Sequence, residues 1–204
     1  MEYPKIDTLY ERDLETHKVK PGVFKNHTYT LLKAWEFTEK IDGTNIRCIW
    51  RDGKLSFGGR TDNAQIHADL VKWLYENVSS AKLTELFPDC TVMLCGEGYG
   101  AGIQSGGVYS PTKKLILFDI LVADKWWLNR ENTVDVANKL GLDVVPYLGT
   151  MTIEQATEMV KNGFSSQLGE HAPAEGVVGR PTETLFDARG NRLILKLKTK
   201  DFAK

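Results

Sequence analysis

Trp35-Glu36-Phe37-Thr38-Glu39-Lys40-Ile41-Asp42-Gly43-Thr44-Asn45-Ile46-Arg47-Cys48-Ile49-Trp50 is the stretch on which the fold turns. Apolar and polar residues alternate from Trp35 to Thr38 and again from Asn45 to Trp50, the period of a half-buried strand. Lys40 then falls between two strands, near a bend at Gly43. The second strand runs into Asp52-Gly53, a strong hairpin signal, with Leu55-Ser56-Phe57 as the return.

Working outward, Ile66, Leu70, Leu74 and Val78 recur every fourth position between Asn63 and Val78, which predicts a helix with one core-facing stripe. Thr91 to Leu94 and Lys114 to Val122 read as buried strands. A helix is expected over about 131 to 140, ending at Gly141. Thr152 with Gln155 forms a capping-box pattern before Ile153, Ala156, Met159 and Val160, and Gly163 is placed to end that helix. Gly176 to Gly179 and Arg192 to Lys198 return to strand, while the Gly-rich stretch from 96 to 107 reads as a loop. Tight turns and irregular interspersion favour an α+β architecture of mostly antiparallel sheets flanked by helices over a doubly wound parallel sheet.

A chain of 204 residues with 42% hydrophobic content supports one substantial core, so one domain over 1 to 204 is expected. The formal net charge of -1 gives no global field toward nucleic acid, and any such contact must come from a local cluster. The last nine residues supply four lysines. Cys48, Cys90 and Cys95 form no CxxC pair, which suggests neither a disulfide framework nor a zinc site and points to a reducing cytoplasm. No apolar run approaches the roughly 18 residues that cross a bilayer, so no membrane partner is expected. His17, His27, His67 and His171 show no ligand spacing and receive no role; His67 falls on the long helix. Trp126-Trp127 reads as an aromatic hinge or packing wedge.

The chemistry-bearing residues come in a fixed order: Glu39-Lys40-Ile41-Asp42-Gly43, then Gly96-Glu97, Phe118-Asp119, Glu175-Gly176-Val177-Val178 and Lys196-Leu197-Lys198. A lysine attacks a phosphate only as the free amine, and its ordinary pKa of about 10.4 leaves little amine at neutral pH. Neighbouring cations lower it, and Lys196, Lys198 and a metal ion are candidates. Lys196 and Lys198 lie two apart on a strand and share a face, where two cations are best reconciled by an anion such as a triphosphate. Taken singly, each motif has a plainer reading: a solvated turn lysine, an edge strand guarded by lysines, a loop glutamate, a core phenylalanine.

Taken together and in order, they resemble the covalent lysyl-nucleotidyltransferases, and most closely the phage RNA ligase 2 family, over about Trp35 to Lys200. The resemblance implies a nucleotidyltransferase (adenylation) domain in which Lys40 takes AMP from ATP, passes it to a 5′-phosphate and lets a 3′-hydroxyl displace it. It implies that Lys196 and Lys198 serve catalysis and nucleotide binding, and that Glu97 accepts from the ribose hydroxyls. Phe118 would stack on adenine, and Arg60 would contact the nucleotide phosphate or ribose. Glu175 would serve a divalent ion, Mg2+ or Mn2+, and Asn45 would support end joining. Glu39 is implied as an adenine-side contact through its backbone, which would leave its side chain replaceable.

The implied partners are RNA ends in a nicked duplex, with a monomer in the cytoplasm, or in the host cytoplasm if the chain is phage-encoded. A DNA nick ligase shares the Lys-x-Asp-Gly pattern and is the nearest alternative. A capping guanylyltransferase and a catalytically silent module that binds nucleotide or RNA ends are more distant ones. Because the sequence stops four residues after Lys200, neither an OB fold nor a helical carboxy-terminal domain is expected.

Overall fold

The computed structural model describes residues 2–170 and 172–202, so His171 and the last of the terminal lysines, Lys204, lie outside the described residues. The chain divides into two compact units: residues 2–4 with Asp42–Val145, and Lys5–Ile41 with the described residues from Pro146 onward.

The first unit is built on strands β5 (Thr44–Arg51), β6 (Lys54–Gly58), β7 (Val92–Tyr99), β8 (Lys114–Val122) and β9 (Trp126–Trp127). Their order is β6-β5-β7-β8-β9, and every pairing is antiparallel. Asp52 and Gly53 both take positive φ in the β5–β6 turn, as an Asp-Gly hairpin requires. Helices α1 (Ala68–Asn77), α2 (Ser80–Leu86) and α3 (Arg130–Leu140) complete the unit. Leu70, Leu74 and Val78 pack with Ile46, Leu94 and Leu117 in one core. The expected stripe is present, but α1 starts only at Ala68, because His67 is its N-cap and accepts from the Asp69 amide at 3.3 Å. Helix α3 ends at Gly141, whose φ of 78° places it in the left-handed region that closes a helix.

The second unit holds β1 (Asp7–Thr8), β2 (Tyr10–Arg12), β3 (Val19–Phe24), β4 (Trp35–Lys40), β10 (Tyr147–Met151), β11 (Gly176–Arg180) and β12 (Leu195–Lys198), with helix α4 (Ile153–Asn162). Its main sheet runs β1-β12-β11-β4-β10, with β1 parallel to β12 and the other pairs antiparallel. Strands β2 and β3 pair separately. Both bonds of the Thr152–Gln155 capping box form. Ile153, Ala156 and Val160 of α4 then bury against Val177, Leu195, Leu197, Trp35 and Phe37.

The architecture is α+β with mostly antiparallel sheets, as expected. The expected strand at Thr91–Leu94 continues to Tyr99, so Gly96 to Tyr99 are strand rather than loop and Glu97 projects from a sheet. Glycine is needed there: a Cβ on Gly98 would lie 2.4 Å from Leu70 Cδ2, and one on Gly96 would lie 2.6 Å from the Ile116 carbonyl oxygen. Lys40 is the last residue of β4, and only Ile41, Asp42 and Gly43 separate it from β5. Cys48, Cys90 and Cys95 are free thiols. No described helix is long and apolar enough to cross a membrane.

Candidate active site

In the second unit, Gly176 is the cross-strand partner of both Lys40 on β4 and Lys198 on β12. Residues directly opposite in antiparallel pairs share a face, so the two lysines stand on one face with a glycine between them. The gap is spanned by a single carboxylate. Lys40 Nζ donates to Glu175 Oε2 at 2.6 Å, and Lys198 Nζ donates to Glu175 Oε1 at 2.6 Å. The Thr199 amide donates to the Glu175 carbonyl at 2.9 Å and anchors the backbone that presents it. The lysine side chains are each 21% exposed and that of Glu175 13%, so the cluster is sheltered yet reachable.

Lys196 lies two residues before Lys198, and Leu195 and Leu197 turn into the core. Burial pushes the Lys196 amine down to about 8, with further lowering from Lys198, Lys40 and Lys5 and an opposing pull from Asp7. Two lysines therefore share the Glu175 carboxylate and a third, Lys196, lies near enough to feel both, a surplus of positive charge that suits a polyanion. The pKa of Lys196 lies lower in the folded chain than in the unfolded one, so its contribution to stability is present above about 10.5 and lost as pH falls through about 8. Unfolding free energy should thus rise between pH 8 and 9.5, and Lys196→Met should flatten that rise. Urea melts at the two pH values measure it, and an equal slope in both proteins would reject the assignment.

The Glu39 side chain is interior: the residue is 1% exposed, and its carboxylate accepts from the Ser166 hydroxyl and from the Gln167 amide at 2.9 Å. Its own amide donates to the Pro146 carbonyl at 2.9 Å. Ser166 was not legible as a partner, because nothing in the sequence links it to a residue 127 positions earlier.

In the first unit, Asn45 on β5 is the direct cross-strand partner of Glu97 on β7. Asn45 Oδ1 is buried and has no hydrogen-bond partner among the described residues, an acceptor that a ligand or water can satisfy. Gly43 lies so close to β7 that a Cβ would sit 2.3 Å from the Gly98 carbonyl oxygen and 3.0 Å from Glu97 Cγ. Glycine is thereby required where the turn after Lys40 passes Glu97. Asp42 Oδ2 accepts from the Ser105 amide at 3.3 Å.

Phe118 owes its position to a register shift. Cys95 pairs with Asp119 but Gly96 pairs with Leu117, which makes Phe118 the extra residue of a β-bulge. Bulges re-aim side chains, and here Phe118 escapes the fully buried run of its neighbours Leu117 and Asp119. Tyr3 packs edge-on against its ring at 5.3 Å and against Trp127 at 5.6 Å, while its hydroxyl donates to the fully buried Asp119 at 2.9 Å. Trp127 is thus a packing partner, whereas Trp126 remains 59% exposed.

Arg60 is held by its surroundings. Its carbonyl accepts from the Tyr3 amide at 3.2 Å, and the residues around it are gripped by Arg47, a residue the sequence did not single out. Arg47 is completely buried on β5; its Nε donates to the Gly59 carbonyl and its Nη2 to Asp62 Oδ1 at 2.8 Å. The Arg47 guanidinium holds the Asp62 carboxyl below the usual carboxylate range. A signal did exist: Gly58 is the cross-strand partner of Arg47, and a Cβ there would lie 2.7 Å from Nη2. A Gly-Gly pair opposite a strand arginine marks room made for that side chain.

The structure thus gathers Lys40, Glu175, Lys196 and Lys198 in the second unit with Glu39 beneath, and sets Asn45, Glu97, Phe118 and Arg60 on the sheet and hairpin of the first. Among solved structures, the chain is similar to point mutants of Naegleria gruberi RNA ligase with ATP and Mn (19% identity, TM-score 0.70) and with AMP and Mn (18% identity, TM-score 0.69). In both matches 98% of this chain is covered and 62% of the other. A third, Naegleria gruberi RNA ligase with PPi, matches at 20% identity and a TM-score of 0.66, with the same coverage. The chain therefore spans about 62% of the length of the structures it resembles, and the likeness establishes the nucleotidyltransferase fold. By sequence, no curated protein matches it. The RNA ligase family model matches residues 33–198, a span that takes in every residue of the ordered motif set, and the chain belongs to the RNA ligase family.

Proposed function

We propose that this protein is an ATP-dependent RNA ligase that works through a covalent lysyl-AMP on Lys40. The observation that carries the reading is the Lys40–Glu175–Lys198 row with Lys196 beside it. In the first step the Lys40 amine attacks the α-phosphorus of ATP, a P–N bond forms, and the P–O bond to pyrophosphate breaks. An oxygen of an RNA 5′-phosphate then takes the AMP from Lys40 and restores the amine. A 3′-hydroxyl finally attacks that 5′-phosphate, forming the phosphodiester and expelling AMP.

As it stands, Lys40 Nζ donates a hydrogen bond to Glu175, and attack requires that the amine leave the carboxylate and turn its lone pair to the phosphorus. Lys196 and Lys198 supply fixed positive charge where the phosphates become more negative, so little reorganisation is needed at the moment of transfer. Glu97 and Arg60 are the residues to hold ribose and phosphate, Phe118 the surface for adenine, and Asn45 the acceptor for the joining step. ATP, AMP, Mn and PPi in the similar structures support this assignment.

A divalent ion fits at Glu175 only in company. Among the described residues no group of three His, Cys, Asp or Glu could hold one, and one carboxylate with substrate phosphates and waters is a set that suits Mg2+ or Mn2+. When bound, it supplies charge neutralisation at the phosphates. The substrates under this reading are 5′-phosphate and 3′-hydroxyl RNA ends in a nicked duplex.

The test is intact mass after incubation with ATP and magnesium, followed by peptide mapping. AMP should appear on Lys40 and be absent from Lys40→Ala. A label persisting in that variant, or no label on the folded wild type, would reject the proposal.

A further inference from the structure

At the edge of the second unit's sheet, β1 and the β2–β3 hairpin enclose a cavity of about 300 Å3 with Lys196 in its wall. Strand β1 forms that wall by pairing Thr8 with Lys196, and the Leu9 amide donates to the Lys196 carbonyl at 3.1 Å. Four basic side chains line the cavity: Lys5, Arg12, Lys25 and Lys196. Three acidic ones oppose them: Asp7, Glu11 and Asp13.

Most of these charges are already matched. Arg12 pairs with Asp201 at 2.7 Å, Lys25 with Glu11 at 3.5 Å, and Asp13 with Lys20 at 3.2 Å. Among the described residues Lys5 and Lys196 have no ion-pair partner, yet Lys5 lies close enough to disfavour the charge on Lys196. Asp7 is the one carboxylate of the lining left to offset them. Lys5 and Lys196 set against Asp7 leave the walls one uncompensated positive charge, and two cations facing one space are reconciled by an anion between them.

The size of that surplus selects the anion. Pyrophosphate, with three or four negative charges, would meet three carboxylates with only one spare positive charge. A phosphodiester carries a single negative charge and matches the surplus. The remaining lining agrees, since Ile6 and Leu14 offer apolar surface to a sugar.

We propose that this cavity seats one phosphodiester of the RNA strand being joined, between Lys5 and Lys196. The proposal rests on the RNA-ligase reading above and adds to it a strand-binding site that shares only Lys196 with the adenylylation residues. Lys196 then faces the reacting phosphates at one end and the polynucleotide backbone at the other, which couples strand engagement to the catalytic row.

The experiment uses fluorescence anisotropy of a labelled single-stranded 5′-phosphate RNA with the full chain, without ATP, across a salt series. Lys5 is exposed, so Lys5→Glu does not threaten the core. Lys5→Glu should weaken RNA binding about tenfold and make the slope of log affinity against log salt shallower by about 0.7, the single-strand value for one phosphate. Lys5→Arg should bind as the wild type does. Unchanged RNA affinity in Lys5→Glu, or no RNA binding by the wild type, overturns the proposal. So does a Lys5→Glu protein that keeps RNA affinity but loses pyrophosphate-driven removal of AMP from Lys40, which would give the cavity to pyrophosphate. Because the binding arm needs no chemistry, a wild type that fails to adenylylate yet shows the Lys5 effect rejects the ligase reading and keeps the cavity.

Discussion

Lys198→Ala is expected to slow lysyl-AMP formation by about 10^2- to 10^3-fold, the range seen when one preorganised charge-stabilising group is removed. Two effects add. The variant loses a cation aimed at the phosphates, and Glu175, relieved of its 2.6 Å bond to Lys198, keeps Lys40 as its remaining ammonium partner at 2.6 Å. Lys40 is then held more firmly against the carboxylate. The fold should persist, because Leu195 and Leu197, not Lys198, bury into the core. Time courses of AMP incorporation, with a thermal melt as control, check this. A folded Lys198→Ala protein that labels at the wild-type rate would reduce the lysine pair to a solvated face.

Gly176→Ala should act on the same row through the backbone and with the opposite signature. A Cβ at Gly176 would lie 2.0 Å from the Leu197 carbonyl oxygen and 2.8 Å from Lys198 Cα. Neither atom is the free end of a flexible side chain, so β12 must move away from β11. That displaces Lys198, weakens the edge that carries β1, and shifts Glu175 immediately before it. The expected cost is about 3–5 kcal/mol, the range of severe backbone substitutions, together with loss of labelling. Denaturant midpoints separate the two variants: Lys198→Ala should keep its midpoint and Gly176→Ala should not. A Gly176→Ala chain of wild-type stability would mean that the strands accommodate the methyl group.

The sequence disclosed what depends on local pattern. The capping box at Thr152, the stop at Gly141 and the Asp52-Gly53 turn are short-range signals, and each formed where its residues placed it. The same-face pair Lys196 and Lys198 followed from strand periodicity alone. What escaped was set by pairing between distant segments. The bulge that frees Phe118 exists only in the β7–β8 register. The parallel placement of β1 beside β12 joins residues almost 190 positions apart and was carried by a strand of two residues, too short to show a period. Nothing local marks Glu39 and Arg47 as interior charges, and only their partners, Ser166, Gln167 and the Gly59 carbonyl, show that they are. The end of β7 was misjudged because glycine-rich sequence ordinarily signals a loop, whereas here Gly96 and Gly98 make room for neighbours across the sheet.

The pairing of β4 imposes an order on synthesis. Strands β5 to β9 lie within residues 44–127 and pair mostly with near neighbours in the chain, contacts that close quickly because their loops are short. Strand β4, which carries Lys40, finds both of its sheet neighbours, β10 and β11, more than 100 residues later. A nascent chain emerging from the ribosome at roughly 5–20 residues per second can therefore assemble the first sheet while both edges of β4 are still open. Lys40 is thus made well over 100 residues ahead of the carboxylate and the two lysines that gather around it, Glu175, Lys196 and Lys198.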